Sequence, residues 1–171
     1  MDMLRQPEQP VIRFMADAML GRLARWLRIL GYDTAYEKVI TDEVLIERAL
    51  REDRWLLTRD RYLAQRKVLR GRHTLIESDD LEDQLGQLHQ DLKIDLDMTR
   101  HRGYRCADCN VALTSVSPDN ARPLVPPFVA QQYREFLQCP HCRRVFWPGT
   151  HWHDLLARVT AISEGSTADG T

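Results

Sequence analysis

Apolar and polar positions alternate along the first hundred residues in short blocks whose period changes. Val11–Ala16 is an apolar-rich run of strand length. From Ala18 the period lengthens to that of a helix. At about 100° per residue, Met19, Leu20, Leu23, Trp26, Leu27 and Leu30 share one arc. Gly31 then supplies a common helix stop. Asp33–Tyr36 reads as a short strand. Asp42–Arg51 reads as a helix on the spacing of Val44, Leu45, Arg48 and Ala49, and Trp55–Thr58 as a buried strand. Arg61–Leu69 reads as a helix and His73–Ile76 as a strand; Leu81, Leu85, Leu88 and Leu92 mark one more helix. Strands alternating with helices predict an α/β domain: a central parallel sheet with helices on its faces.

After residue 100 the helical periodicity stops. Two cysteine pairs appear, with Pro118, Pro123, Pro126 and Pro127 between them, as expected of a small loop-rich module. Asp154–Ser163 fits a closing helix. The expected organisation is an α/β domain over 11–97 and a cysteine module with its closing helix over 98–160. Residues 1–10 and 164–171 read as flexible tails.

The 171-residue length suits one domain with a small appendage. With 43% hydrophobic and 29% charged residues, wholesale disorder is excluded. The longest stretch without Asp, Glu, Lys or Arg is the eleven residues Pro123–Tyr133, against about 20 for a membrane helix. The start, MDMLRQPEQP, has no apolar core of an export signal, so a cytoplasmic protein without membrane contact is expected. The net charge of −1 argues against a broad nucleic-acid surface, but it conceals a polar distribution. Seven bases and one acid lie in Arg54–Ile76, and eight acids and one base in Glu77–Asp97. Solvated helix faces would also produce such runs.

The four cysteines, Cys106, Cys109, Cys139 and Cys142, form two C-x2-C pairs separated by 29 residues. A two-residue gap lets both thiolates of a tight turn face one ion, and two such turns complete a tetrahedral zinc site. With sulfur at every position the zinc is structural, and its binding supplies stability that the loops lack. Disulfides would need an oxidising compartment, and redox-active pairs are the other alternative. His141, His151 and His153 read as ordinary polar residues.

Asp17, Asp42, Asp60 and the pair Asp79 and Asp80 each follow an expected strand or open an expected helix. Helix capping explains any one of them. As a set they mean more, because in an open parallel sheet all the carboxyl ends of the strands lie along one edge, where ligands bind. Converging carboxylates repel unless cations sit between them, and hard ions such as Mg²⁺ or Mn²⁺ suit that demand. Arg22, Arg25 and Arg28 form a stripe beside the apolar arc of the first helix. They fit either a solvated face or a grip on phosphates.

The run Phe14-Met15-Ala16-Asp17-Ala18-Met19-Leu20-Gly21-Arg22-Leu23-Ala24-Arg25-Trp26-Leu27-Arg28-Ile29-Leu30-Gly31-Tyr32-Asp33-Thr34 resembles the signature of the Mut-seven C-terminal RNase domain family. So do Leu56-Leu57-Thr58-Arg59-Asp60, Gln84-Leu85, the two cysteine pairs and Trp147-Pro148-Gly149-Thr150-His151-Trp152. The resemblance covers about Ile12 to Asp154, in order. It implies a three-layer PIN-like nuclease domain followed by a zinc ribbon, cutting RNA with Mg or Mn held by acidic residues. By position, Asp17, Asp42 and Asp60 match the first three acidic residues, and Asp79 and Asp80 are both candidates for the fourth. In this reading Arg22, Arg25, Arg28, Arg59 and Arg61 contact single-stranded RNA, and the ribbon orients RNA or docks a protein partner. Two other classes stay open. One is a non-catalytic RNA-binding or adaptor protein that uses the ribbon and the basic stretch 54–72. The other is a phosphatase, although no second Asp follows Asp17 two residues on and no P-loop glycine pattern is present.

Overall fold

In the computed structural model, which describes residues 12–97 and 104–165, four strands lie parallel: β1 (Phe14–Ala16), β2 (Thr34–Tyr36), β3 (Trp55–Thr58) and β4 (His73–Leu75). Their order is β2-β1-β3-β4, with Met15 in register with Ala35 on one side and Leu56 on the other. The helices are α1 (Gly21–Ile29), α2 (Asp42–Arg51), α3 (Arg61–Ala64) and α4 (Leu81–Leu92). The strand alternation divides the interior in two. Phe14, Ala16 and Leu57 pack with Leu23 and Leu27 of α1 and with Leu85 and Leu88 of α4. Met15 and Leu56 pack with Leu45 and Ala49 of α2 and with Leu63 of α3. The result is three layers with a sheet covered on both faces, and β1 is fully buried. Each leucine taken fully from water there contributes about 1.5–3 kcal/mol.

Two helices differ from the periodicity. The first opens with a 3-10 turn over Ala18–Leu20 before α1 begins. The expected helix over Arg61–Leu69 is α3 followed by a 3-10 turn at Lys67–Leu69, broken at Arg66, whose backbone is extended (φ −61°, ψ 122°). Leu63 and Leu69 account for the break. In one continuous helix, side chains six apart would diverge by about 120°. The break lets both enter the same core.

The second module is more regular than the prolines suggest. Strands β5 (Thr114–Val116), β6 (Phe136–Gln138) and β7 (Val145–Phe146) form an antiparallel sheet in sequence order. Between β5 and β6 lie α5 (Pro118–Ala121) and α6 (Pro127–Gln132), each opened by a proline whose fixed φ suits a first helical position. Ala121, Val129, Phe136 and Val145 make its small core. The closing helix, α7, runs Thr150–Gly165, beyond the expected Asp154–Ser163 at both ends. It packs on α4 and sends Val159 into the core of the first module. The tail 1–10, the join near residue 98, the chain beyond 165 and the side chains of His151 and His153 lie outside the described residues. Among the described residues, no helix is long and apolar enough to cross a membrane.

Candidate functional site

The strand order places a switch point between β1 and β3. After β1 the chain turns back to β2 on one side; after β3 it proceeds to β4 on the other. The crevice at such a point, beyond the carboxyl ends of the strands, is where open α/β sheets bind ligands. Asp17 follows β1 directly, and Asp60 lies two residues beyond β3, so the two flank this crevice.

Thr58, the last residue of β3 and fully buried, links them. Its hydroxyl donates to Asp17 Oδ2 at 2.6 Å and accepts the Asp60 backbone N–H at 2.9 Å. Asp17 is 5% exposed. Its Oδ2 also accepts the Arg59 N–H at 2.9 Å, and its Oδ1 accepts the Met19 N–H at 2.9 Å. Asp60 Oδ1 accepts the N–H groups of Tyr62 and Leu63 at 2.7 and 3.0 Å. A carboxylate offers about four acceptor positions. Capping therefore leaves Asp17 Oδ1 one position and leaves Asp60 Oδ2 without a partner among the described residues.

The other acidic residues are placed differently. Asp42 is exposed in the first turn of α2, and the cap of that helix is Thr41, whose hydroxyl accepts the Val44 N–H. Asp80 caps α4 through Oδ1, which accepts the N–H groups of Glu82 and Asp83. Exposed Asp79 is paired with the Arg59 guanidinium, joining the loops after β3 and β4. Among the described residues, these carboxylates do not gather within 4.8 Å of one another as the four cysteine sulfurs do.

The arginine stripe is divided. Arg22 is exposed without a partner among the described residues, and so is Arg61. Arg25 is paired with Asp108, which also pairs with Arg144. Arg28 is buried and committed to backbone carbonyls. Its Nε donates to the Thr34 carbonyl at 2.9 Å, and its Nη1 to the carbonyls of Ala107 and Asp108 at 2.8 and 3.1 Å. Burial, with Arg25 close by, lowers its pKa. Arg28 thus pins the first cysteine turn onto the α/β domain. Asn110 is the second pin: its Oδ1 accepts the Thr34 N–H at 3.0 Å and its Nδ2 donates to Asp33 Oδ1 at 2.7 Å.

The two cysteine turns repeat one backbone design. In each, the residue after the second cysteine has a left-handed φ, 60° at Asn110 and 66° at Arg143. Its N–H returns to the carbonyl of the first cysteine at 2.9 Å in both turns. The sulfurs of Cys106 and Cys142 are 3.8 Å apart. A tetrahedral site with Zn–S of about 2.3 Å has edges of about 3.8 Å, so the donor set fits zinc. The thiols titrate unequally. For Cys139, desolvation acts upward, but the N–H groups of Cys142 and His141 prevail and bring it down to about 7. Desolvation and the neighbouring Cys142 and Cys106 push Cys109 up to about 12. Four thiolates at neutral pH therefore require a cation among them.

Tyr36, Thr58, Asp108 and Asn110 were not marked by the sequence as site residues. Thr58 carried one signal, a hydroxyl ending an otherwise apolar strand, and Asn110 another, since Asn tolerates left-handed φ. Tyr36 ends β2, and its hydroxyl donates to the Ala18 carbonyl at 3.2 Å. A Cβ on Gly21 would lie 2.6 Å from that hydroxyl, so glycine there lets the ring close over the start of α1.

The fold and sites define a three-layer α/β domain with a switch-point crevice, carrying a four-cysteine module of zinc-ribbon type. The model of the Mut7-C RNAse domain matches residues 12–159, and the chain belongs to that family. No curated protein and no solved structure matches it.

Proposed function

We propose that the chain is a metal-dependent ribonuclease of PIN-like type, with Asp17, Asp42 and Asp60 holding Mg²⁺ or Mn²⁺. The observation that carries this reading is the Asp17–Thr58–Asp60 linkage at the switch point, with acceptor positions left open on Asp17 Oδ1 and Asp60 Oδ2. When bound, the ion supplies Lewis acidity for in-line attack of water on phosphorus, which leaves a 5′-phosphate and a 3′-hydroxyl. Thr58 and the Arg59 N–H hold Asp17 in one orientation. Exposed Arg22 and Arg61 would bind phosphates, as would Arg59 once released from Asp79. Asp80 is the better fourth donor, because its Oδ2 is open whereas Asp79 is committed to Arg59. The cysteine module holds one structural zinc and docks RNA or a protein partner, and the working compartment is the cytoplasm.

The test is cleavage of end-labelled RNA by the zinc-loaded protein, with Mg²⁺, with Mn²⁺ and without either. Asp17→Asn and Asp60→Asn are compared with wild type, since Asn retains capping but loses the ligand charge. Cutting that needs the ion and disappears in both variants supports the reading. A folded, zinc-loaded wild type that binds RNA but is inert in both ions would make the protein a non-catalytic RNA-binding module.

A further inference from the structure

We infer that Tyr62 and Met19 form a stacking platform for unpaired nucleobases beside the aspartates; the inference rests on the RNA reading above and adds the side chains that select single strands. Among the described residues, four of the seven exposed large apolar side chains, Met19, Val39, Val44 and Tyr62, follow the carboxyl ends of β1, β2 and β3. Two of these are tied to the aspartates themselves. Met19 donates its backbone N–H to Asp17 Oδ1, and Tyr62 donates its own to Asp60 Oδ1. Through Thr58, one chain of hydrogen bonds runs from Met19 by Asp17 and Asp60 to Tyr62. At each end the residue held by a carboxylate leaves its side chain in water: Met19 is 67% exposed and Tyr62 is 82% exposed.

A folded domain gains nothing for its own core from a tyrosine left so exposed. Its ring offers a π-face to any base, and its hydroxyl can stay solvated. The methionine thioether is polarizable and adapts to an aromatic surface. The surroundings select the occupant. Arg61 adjoins Tyr62 and Arg22 lies three residues beyond Met19, both exposed and without partners among the described residues. Cations beside an aromatic platform are the combination that binds single-stranded nucleic acid: phosphates meet the arginines and bases stack on the ring. A duplex keeps its base faces stacked inside and cannot use the platform. The platform therefore favours unpaired RNA and sets the nucleotide next to the scissile phosphate.

The test is fluorescence anisotropy with a labelled single-stranded RNA 12-mer, and with the same strand in a duplex, using the zinc-loaded full chain. Tyr62→Ala should weaken single-strand binding about tenfold and leave duplex binding unchanged. Tyr62→Phe should bind as wild type, and Met19→Ala should lose a smaller factor. An abasic site at the stacked nucleotide should weaken wild type and add nothing to the Tyr62→Ala loss. Equal affinities for wild type and Tyr62→Ala, an equal loss on duplex, or no binding by wild type would each overturn the inference. Cleavage measured in parallel separates the two readings: Tyr62-dependent binding without cleavage refutes the nuclease and leaves the platform standing.

Discussion

Thr58 holds Asp17 from within the sheet: its hydroxyl, fully buried at the end of β3, donates to Asp17 Oδ2 at 2.6 Å. The Thr58 hydroxyl oxygen in turn accepts the Asp60 backbone N–H, so one side chain ties the Asp17 carboxylate to the backbone of Asp60. Thr58→Val preserves shape and removes the hydroxyl. It strips one donor from a buried carboxylate and leaves the Asp60 N–H without its acceptor. The expected loss is about 1–3 kcal/mol in urea unfolding, with weaker Mn²⁺ binding measured by electron paramagnetic resonance. Thr58→Ser should keep the Mn²⁺ affinity while losing less stability.

Arg28 and Arg22 lie six residues apart on α1, on different faces, and should respond oppositely. Arg28→Lys replaces a planar fork that satisfies three carbonyls with a single ammonium, and should destabilise by about 2–3 kcal/mol. Arg22→Lys should stay within about 0.5 kcal/mol, as an exposed substitution. Urea unfolding of both variants checks the contrast, and near-equal losses would contradict the assignment of Arg28 as a docking residue.

Removal of the metal should loosen more than the ribbon. The loaded protein should contain one zinc per chain and shield its thiols, and chelation should expose the four cysteines to a thiol reagent. Because the first cysteine turn is pinned by Arg28 and Asn110, the thermal midpoint should fall by at least about 10 °C. A midpoint indifferent to chelation would show that the module does not need the metal.

Acid should release the same junction. Burial would raise the Asp33 pKa, but hydrogen bonds from Arg54 and Asn110 prevail and lower it. A carboxylate whose folded pKa is depressed contributes stability that is complete above its unfolded value, near 3.9, and is lost as pH falls through the folded value. The stability difference between wild type and Asp33→Asn should therefore be constant above about pH 5 and shrink as pH falls below the unfolded value. A difference that persists in acid would mean that Asp33 acts by shape and not by charge.

Local pattern reveals what local forces decide. Trp55–Thr58 and Asp42–Arg51 are legible residue for residue, because a buried strand and an amphipathic helix carry their reasons within themselves. Arg28 is not legible. Its position on a wheel marks it polar, and only the arrival of Ala107 and Asp108, some eighty residues later, makes that position an interior one. The break at Arg66 is hidden for a related reason: it satisfies Leu63 and Leu69 jointly, and no glycine or proline announces it. In the candidate site, the acidic positions after strands are readable in order. The Thr58 linkage and the open oxygens are products of three-dimensional packing.

Val159 of α7 has a consequence for the order in which the chain is made. During synthesis the sheet and α4 emerge well before α7, so the apolar surface that Val159 covers stands open until α7 appears. Synthesis at about 5–20 residues per second makes that interval several seconds. A chain stalled within the cysteine module would carry a formed nuclease-like layer with an adhesive flank. For those seconds a nascent chain of this protein exposes an apolar flank that the finished fold conceals.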